Sequence, residues 1–288
     1  MSTTLEMAQN CSLVFFITGC SSGFGRELAI AALASGFRVI ATARTIETLK
    51  ALEDLGAKSL SFDVNSPPDT LNELANKAIA IYGQVDYLVN NAGFTSGGAI
   101  EEHSPTEVLE QFNTNFFGLV NTTNAFLPHF RARGTGTLVN IGSVASTGGQ
   151  PSAGIYAASK AAVDAVSDTW AKELAEYGIR SISVQPGNFR TEVLKPTNGR
   201  FAANKVDGYA MAHGVVEFLS KQYAGNEPGD PVKGAQNIIT LVTKNGKLPL
   251  RLVLGDDAFP KLETFYKERL AELEATRELS TGTSFTQA

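Results

Sequence analysis

An apolar run that ends in a glycine-rich turn constrains this chain more than any other feature. Residues 13–18 (LVFFIT) show no polar–apolar alternation, so they read as a strand covered on both faces, as in a parallel sheet. The run leads directly into Thr18-Gly19-Cys20-Ser21-Ser22-Gly23-Phe24-Gly25, and residues 25–35 then read as a helix closed by Gly36. Strand, glycine turn and helix in that order make a cradle for phosphate. Gly19 would form the tight turn, Gly23 would let backbone approach a pyrophosphate, and Gly25 would let the helix pack closely on the strand. The helix N-terminus adds unpaired N–H groups that favour an anion. The TGxxxGxG spacing is looser than GxGxxG, and by itself an ordinary glycine-rich connection would read the same way.

The rhythm then repeats. Further strand-length runs fall at 37–43, 58–63, 85–90, 136–142, 179–185 and 250–254. Helical patterns fall between them, at 46–55, 68–82, 106–133 and 155–177, then at 231–244 and 256–273. Such alternation predicts an α/β fold: a Rossmann-type doubly wound parallel sheet of about seven strands with helices on both faces. The expected strand order is 3-2-1-4-5-6, with ligands outside the carboxyl ends of the strands. The rhythm breaks after Pro186-Gly187, and residues 189–229 are polar and rich in Gly and Asn, with one helical stretch at 209–222. The chain is therefore expected to form a single domain, 1–288, with a substrate lid at about 189–229 and a frayed tail at 280–288.

Composition excludes several classes. A net charge of −5 disfavours nucleic acid, whose affinity comes from basic side chains neutralising phosphates. There is no stretch of about twenty apolar residues to span a membrane, and the first ten residues have no basic and apolar segments of a signal peptide. Cys11 and Cys20 flank one strand, too far apart for a disulfide, which fits free thiols in a reducing cytoplasm. His103, His129 and His213 lack ligand spacing, so no metal is expected.

The strand ends carry the chemistry. The second strand ends in Ala43-Arg44-Thr45, with no carboxylate to hold a ribose 2′-hydroxyl and an Arg able to clamp a 2′-phosphate. That favours NADP(H). The fourth strand runs into Asn90-Asn91-Ala92-Gly93, and the fifth ends at Gly142-Ser143. The next helix opens with Tyr156-Ala157-Ala158-Ser159-Lys160, which puts Tyr156 and Lys160 on one face. A nearby ammonium favours a phenolate and would bring Tyr156 towards working pH. Ser143 can donate to an oxygen on which charge develops.

Jointly these motifs resemble the short-chain dehydrogenase/reductase family. The resemblance rests on TGCSSGFG at 18–25, NNAG at 90–93, Ser143, YAASK at 156–160 and PG at 186–187, and it covers residues 12–254. It implies hydride transfer between a nicotinamide and a ketone or secondary alcohol, with a catalytic tetrad of Asn115, Ser143, Tyr156 and Lys160. It also implies that Ser21, Ser22 and Phe24 of the turn, together with Ala92 and Gly93, border the cofactor. Asp63 and Val64 would meet the adenine, Asn91 the adenosine side, and Pro186, Gly187 and Thr191 the nicotinamide. The intact tetrad argues against a non-redox isomerase or cyclase on the same scaffold, and against a nucleotide-sensing regulator. The lid's apolar residues suit a lipophilic or polycyclic small molecule, or else pack the lid down. Apolar residues on several sides of the two long helices (Leu119, Phe126, Phe130; Val163, Val166, Trp170) point, with the resemblance, to a homodimer or a tetramer.

Overall fold

The computed structural model describes residues 12–194 and 200–285, so Cys11 lies outside the described residues. The strands are β1 (Val14–Ile17), β2 (Arg38–Ala43), β3 (Lys58–Ser61), β4 (Tyr87–Asn90), β5 (Ser96–Gly97), β6 (Gly136–Ile141), β7 (Ile179–Pro186), β8 (Arg200–Phe201) and β9 (Arg251–Leu254). The helices are α1 (Gly23–Ala34), α2 (Lys50–Asp54), α3 (Pro68–Tyr82), α4 (Pro105–Phe112), α5 (Gly118–Arg133), α6 (Gly154–Glu173), α7 (Ala210–Phe218), α8 (Pro231–Val242), α9 (Ala258–Ala275) and α10 (Arg277–Ser280). Seven strands form one parallel sheet in the order β3-β2-β1-β4-β6-β7-β9. With the short β5 and β8 set aside, this is the expected doubly wound order.

The continuous apolar run of β1 is explained by its two covered faces. Phe15 and Ile17 point towards α1 and α8, where they pack with Leu28 and Ile238. Val14 and Phe16 point the other way, towards Leu71 of α3, Phe126 of α5 and Val163 of α6. Phe16 is fully buried, and its truncation to Ala would cost about 3–5 kcal/mol. This central packing holds the carboxyl ends of β1, β4 and β6 at one edge, where the turns expected to carry the chemistry follow.

Three expectations change. The pattern at 106–133 is helical throughout but not regular, because a π-helical turn at Asn113–Phe117 joins α4 to α5. The small sheet β5–β8 was not legible in the sequence, since each strand has two residues. The third change concerns the apolar residues read as facing two sides. Leu119, Phe126, Phe130, Val163 and Trp170 are all buried within one chain, and Val166 packs against the same core. They pack in one cluster with residues of α3 and of the sheet, so these residues do not themselves require a second copy.

The lid carries α7, which continues into a π-helical turn at Leu219–Tyr223. At the tail, Ser280 ends α10 and residues 281–285 are exposed. Among the described residues, no helix is long and apolar enough to cross a membrane, and no group of three or more His, Cys, Asp or Glu is placed to hold a metal ion.

Candidate active site

The glycine turn can be built only from glycine at its tightest points. Gly19 and Gly23 take φ of 72° and 55°, in the left-handed region. A Cβ on Gly25 would lie 2.3 Å from the Gly19 carbonyl oxygen, so no larger residue lets α1 start this close to β1. Ser22 stands at the N-cap of α1 without capping it through its side chain. The first-turn N–H groups are thus left to an anion. These features fit a pyrophosphate at the head of α1.

Asn91, expected to border the adenosine, is a brace for the turn. Its Nδ2 donates to the carbonyl oxygens of Thr18 (2.9 Å) and Gly19 (3.1 Å). Thr18 completes the brace, since its Oγ1 accepts from the N–H groups of Asn91 (2.9 Å) and Ala92 (3.0 Å). The role of Thr18 had no signal beyond its place ahead of the first glycine.

Arg44 follows β2 directly and its side chain is exposed at that strand end. Asp63 turns its carboxylate onto Asn65 N–H at 3.0 Å, and Val64 is buried against Gly118 at the start of α5. On the other side of the glycine turn, Thr191 is the residue that a Cβ on Gly23 would touch, at 3.5 Å. Phe24 packs edge-on against Phe189, with ring centroids 4.8 Å apart, which ties the turn to the base of the lid. Gly187 donates its N–H to Leu254 at 2.8 Å, and Asn188 is held by Asp257 through its backbone N–H and its Nδ2.

The four tetrad residues converge between β4, β6 and α6. Ser143 follows β6 and its hydroxyl accepts from Ala145 N–H at 3.1 Å, a local turn that fixes its direction. Tyr156 hydrogen-bonds Ser143 through its side chain. Lys160 is buried, its Nζ donates to the Ile141 carbonyl at 2.7 Å, and it lies 6.0 Å from the centre of the Tyr156 ring. Asn115 sits inside the π-turn and is almost wholly buried, its Oδ1 accepting from Phe94 N–H and its Nδ2 donating to Phe94 O, each at 3.0 Å. The widened turn is what aims this amide inward, as single π-turns often do at functional sites. Nδ2 also donates to Ser159 Oγ at 3.1 Å, and Ser159 donates to the Tyr156 carbonyl at 2.7 Å. Ser159, unmarked within YAASK, thereby joins Asn115 to the helix that carries Tyr156. Gly93 closes the group, because a Cβ there would lie 3.0 Å from Asn115 Oδ1 and 3.5 Å from Lys160 Nζ.

One electrostatic expectation is corrected. Burial pushes the Tyr156 phenol above its ordinary value, and the Ser143 hydrogen bond opposes this. The lowering expected from Lys160 is not among the causes of this shift, and Lys160 is itself desolvated. Burial takes Lys160 down to about 8, against the pull of Asp164.

The comparisons with known proteins agree with this geometry. The family described as short chain dehydrogenase matches residues 13–200. An uncharacterized oxidoreductase of Bacillus subtilis, YusZ, is 34% identical over 249 residues, which is 84% of this chain and 89% of that protein. A 3-ketodihydrosphingosine reductase of Bacteroides thetaiotaomicron is 38% identical over 179 residues, 62% of this chain and 64% of that one. The crystal structure of a short-chain dehydrogenase from Streptomyces avermitilis superposes with a TM-score of 0.86 at 38% identity, covering 95% of this chain and 98% of that chain. On fold, motif and likeness together, the chain belongs to the short chain dehydrogenase family of oxidoreductases.

Proposed function

We propose that this oxidoreductase interconverts a ketone and a secondary alcohol with NADP(H), Tyr156 serving as the acid/base. The observation that carries the reading is the convergence of Tyr156, Ser143 and Lys160 beside Gly93 at the carboxyl edge of the sheet. The glycine turn and the head of α1 hold the pyrophosphate, and Lys160 binds the nicotinamide ribose. When bound, the nicotinamide supplies or accepts the hydride. Ser143 donates to the substrate oxygen. In reduction Tyr156 delivers its proton to that oxygen, and in oxidation it takes the proton back. A phenol held above its ordinary value by burial keeps that proton at neutral pH, as the reductive direction needs. Asn115 shapes the wall behind Lys160 through Phe94 and Ser159.

Arg44 supports a preference for the 2′-phosphorylated cofactor, since it ends β2 where a carboxylate would otherwise select the free hydroxyl. The lid supports a lipophilic substrate. Phe189 is buried at its base, but Val193, Phe201, Tyr209, Met211 and Phe218 leave large apolar surface exposed. Similarity to a 3-ketodihydrosphingosine reductase points the same way. The test is to follow reduced-nicotinamide absorbance with a panel of long-chain and polycyclic ketones and both cofactors. Turnover with NADPH above that with NADH is expected; no cofactor oxidation with any ketone would overturn the reading.

A further inference from the structure

Asp164 is a buried carboxylate that the chemistry above does not use. It stands one helical turn beyond Lys160 on α6 and is 3% exposed. A carboxylate so deep is costly unless its oxygens are satisfied, and here both are. Ser183 Oγ of β7 donates to Oδ1. Gln185 Nε2 of β7 donates to Oδ2 at 2.6 Å, and Ser146 Oγ reaches the same oxygen. Ser146 Oγ also stands 2.6 Å from the carbonyl oxygen of Ser143. A Cβ on Gly142 would lie 2.7 Å from Asp164 Oδ1. The carboxylate is therefore packed against the backbone that presents Ser143.

Its charged surroundings are few. On α6 itself, Lys160 precedes it and Asp168 follows it, each by one turn. From β9 comes Arg251, whose NH2 is 2.7 Å from Asp168 Oδ2 while NH1 is 3.8 Å from Asp164 Oδ2. The groups from β7 and from the turn after β6 are neutral. Arg251 thus pairs chiefly with Asp168, and the charge of Asp164 is left to act on Lys160.

We infer that Asp164 is a positioning residue with two tasks: it clamps the 142–146 turn that aims Ser143, and its buried negative charge keeps Lys160 an ammonium at neutral pH. This rests on reading Tyr156 and Lys160 as the catalytic pair. Its direct consequence concerns Lys160 alone. Burial already draws that amine down to about 8, and without the Asp164 charge opposing it the amine would be drawn lower still.

The test titrates Lys160 by NMR in protein labelled with 13C at lysine Cε, its signal assigned by loss in Lys160→Met. In Asp164→Asn, which keeps the volume, the midpoint should fall by about one pH unit or more. Ser183→Ala removes a hydrogen bond and no charge, and should leave the midpoint in place. Arg251→Gln removes the opposing cation and should move it upward, which keeps the test open if Asp164→Asn does not fold. An unmoved midpoint in Asp164→Asn, or a downward move in Arg251→Gln, would overturn the inference. Turnover of Tyr156→Phe is measured alongside. Persistence of that turnover would sink the catalytic reading while leaving the lysine titration to be judged separately.

Discussion

His213 Nε2 donates to Glu102 Oε1 at 2.6 Å, and this contact fastens the lid helix α7 to the body of the domain. Glu102 is a hub. Its Oε1 also accepts from Val206 N–H, and its Oε2 accepts from Ala99 N–H, both at 2.8 Å. Two neighbours extend the seam: Glu107 accepts from Ala203 N–H, and Glu110 pairs with Arg200, whose guanidinium lies 4.0 Å over the Phe94 ring.

Glu102→Ala should release this seam. Three donors lose one buried acceptor, and each hydrogen bond to a charged group is worth about 1.5–3 kcal/mol. Trypsin should then cut after Arg200 and Lys205 at least about tenfold faster. KM for the substrate should rise more than the cofactor Kd. The parent protein should loosen in the same place in acid. The Val206 and His213 hydrogen bonds hold the Glu102 carboxyl down at about 2, so its contribution is complete above the ordinary carboxylate range and is lost as pH falls towards 2. Unchanged trypsin cleavage in the variant would show that the lid is held elsewhere.

Tyr156→Phe should bind cofactor nearly as the parent does and lose turnover by more than about a hundredfold, within the range assigned to a positioned acid. Phe keeps the ring that packs beside Lys160 and removes the hydroxyl that meets Ser143. Cofactor fluorescence titration and turnover together check this. Turnover within tenfold of the parent would remove Tyr156 from the mechanism.

Arg44→Asp should shift selectivity from NADP(H) towards NAD(H). It deletes a charge-assisted clamp and installs an acceptor for a ribose hydroxyl. A loss of about 1.5–3 kcal/mol corresponds to a tenfold to hundredfold change in the ratio of kcat/KM values. The exposure of Arg44 makes the substitution safe for folding, so a ratio equal to the parent's would place the 2′-phosphate elsewhere.

The sheet was legible because burial on both faces writes itself as an uninterrupted apolar run, as in β1, and glycine marks the ends. What stayed hidden depends on pairing across the chain. Thr18 and Ser159 are ordinary letters whose roles arise only when β4 or the π-turn is brought beside them. The π-turn itself has no signature, since one extra residue in a helical turn leaves the local apolar pattern intact at 106–133. Glu102 and Asp164 carry no sequence signal of their own, yet both are nearly fully buried. Their partners lie far away in sequence, at Val206 and His213 for one and at Ser183, Gln185 and Arg251 for the other. The apolar residues of α5 and α6 that were read as pointing to a subunit interface pack within the core of one chain.

Lys160 should cost the fold stability that the site needs it to spend. Lys160 is 5% exposed, and burial lowers its amine from 10.5 to about 8. Below pH 8 both folded and unfolded chains hold the proton, and the folded state carries the whole penalty of a desolvated ammonium. Between pH 8 and the unfolded value near 10.4, the unfolded chain binds the proton and the folded chain does not, so stability rises with pH across that window. Two or more pH units correspond to a penalty on the order of 3 kcal/mol. Lys160→Met is neutral at every pH. It forfeits the bond to the Ile141 carbonyl, worth about 1 kcal/mol, but escapes the larger penalty. Its Tm at pH 7 should therefore exceed the parent's by a few degrees, at about 2–4 °C per kcal/mol for a domain approaching this size. The advantage should shrink as pH rises from 8 to 10 and then reverse, because only the lost hydrogen bond remains. Calorimetry of both proteins across that range decides the matter. A Tm difference that stays constant with pH would mean that Lys160 is not the buried charge on which the site depends.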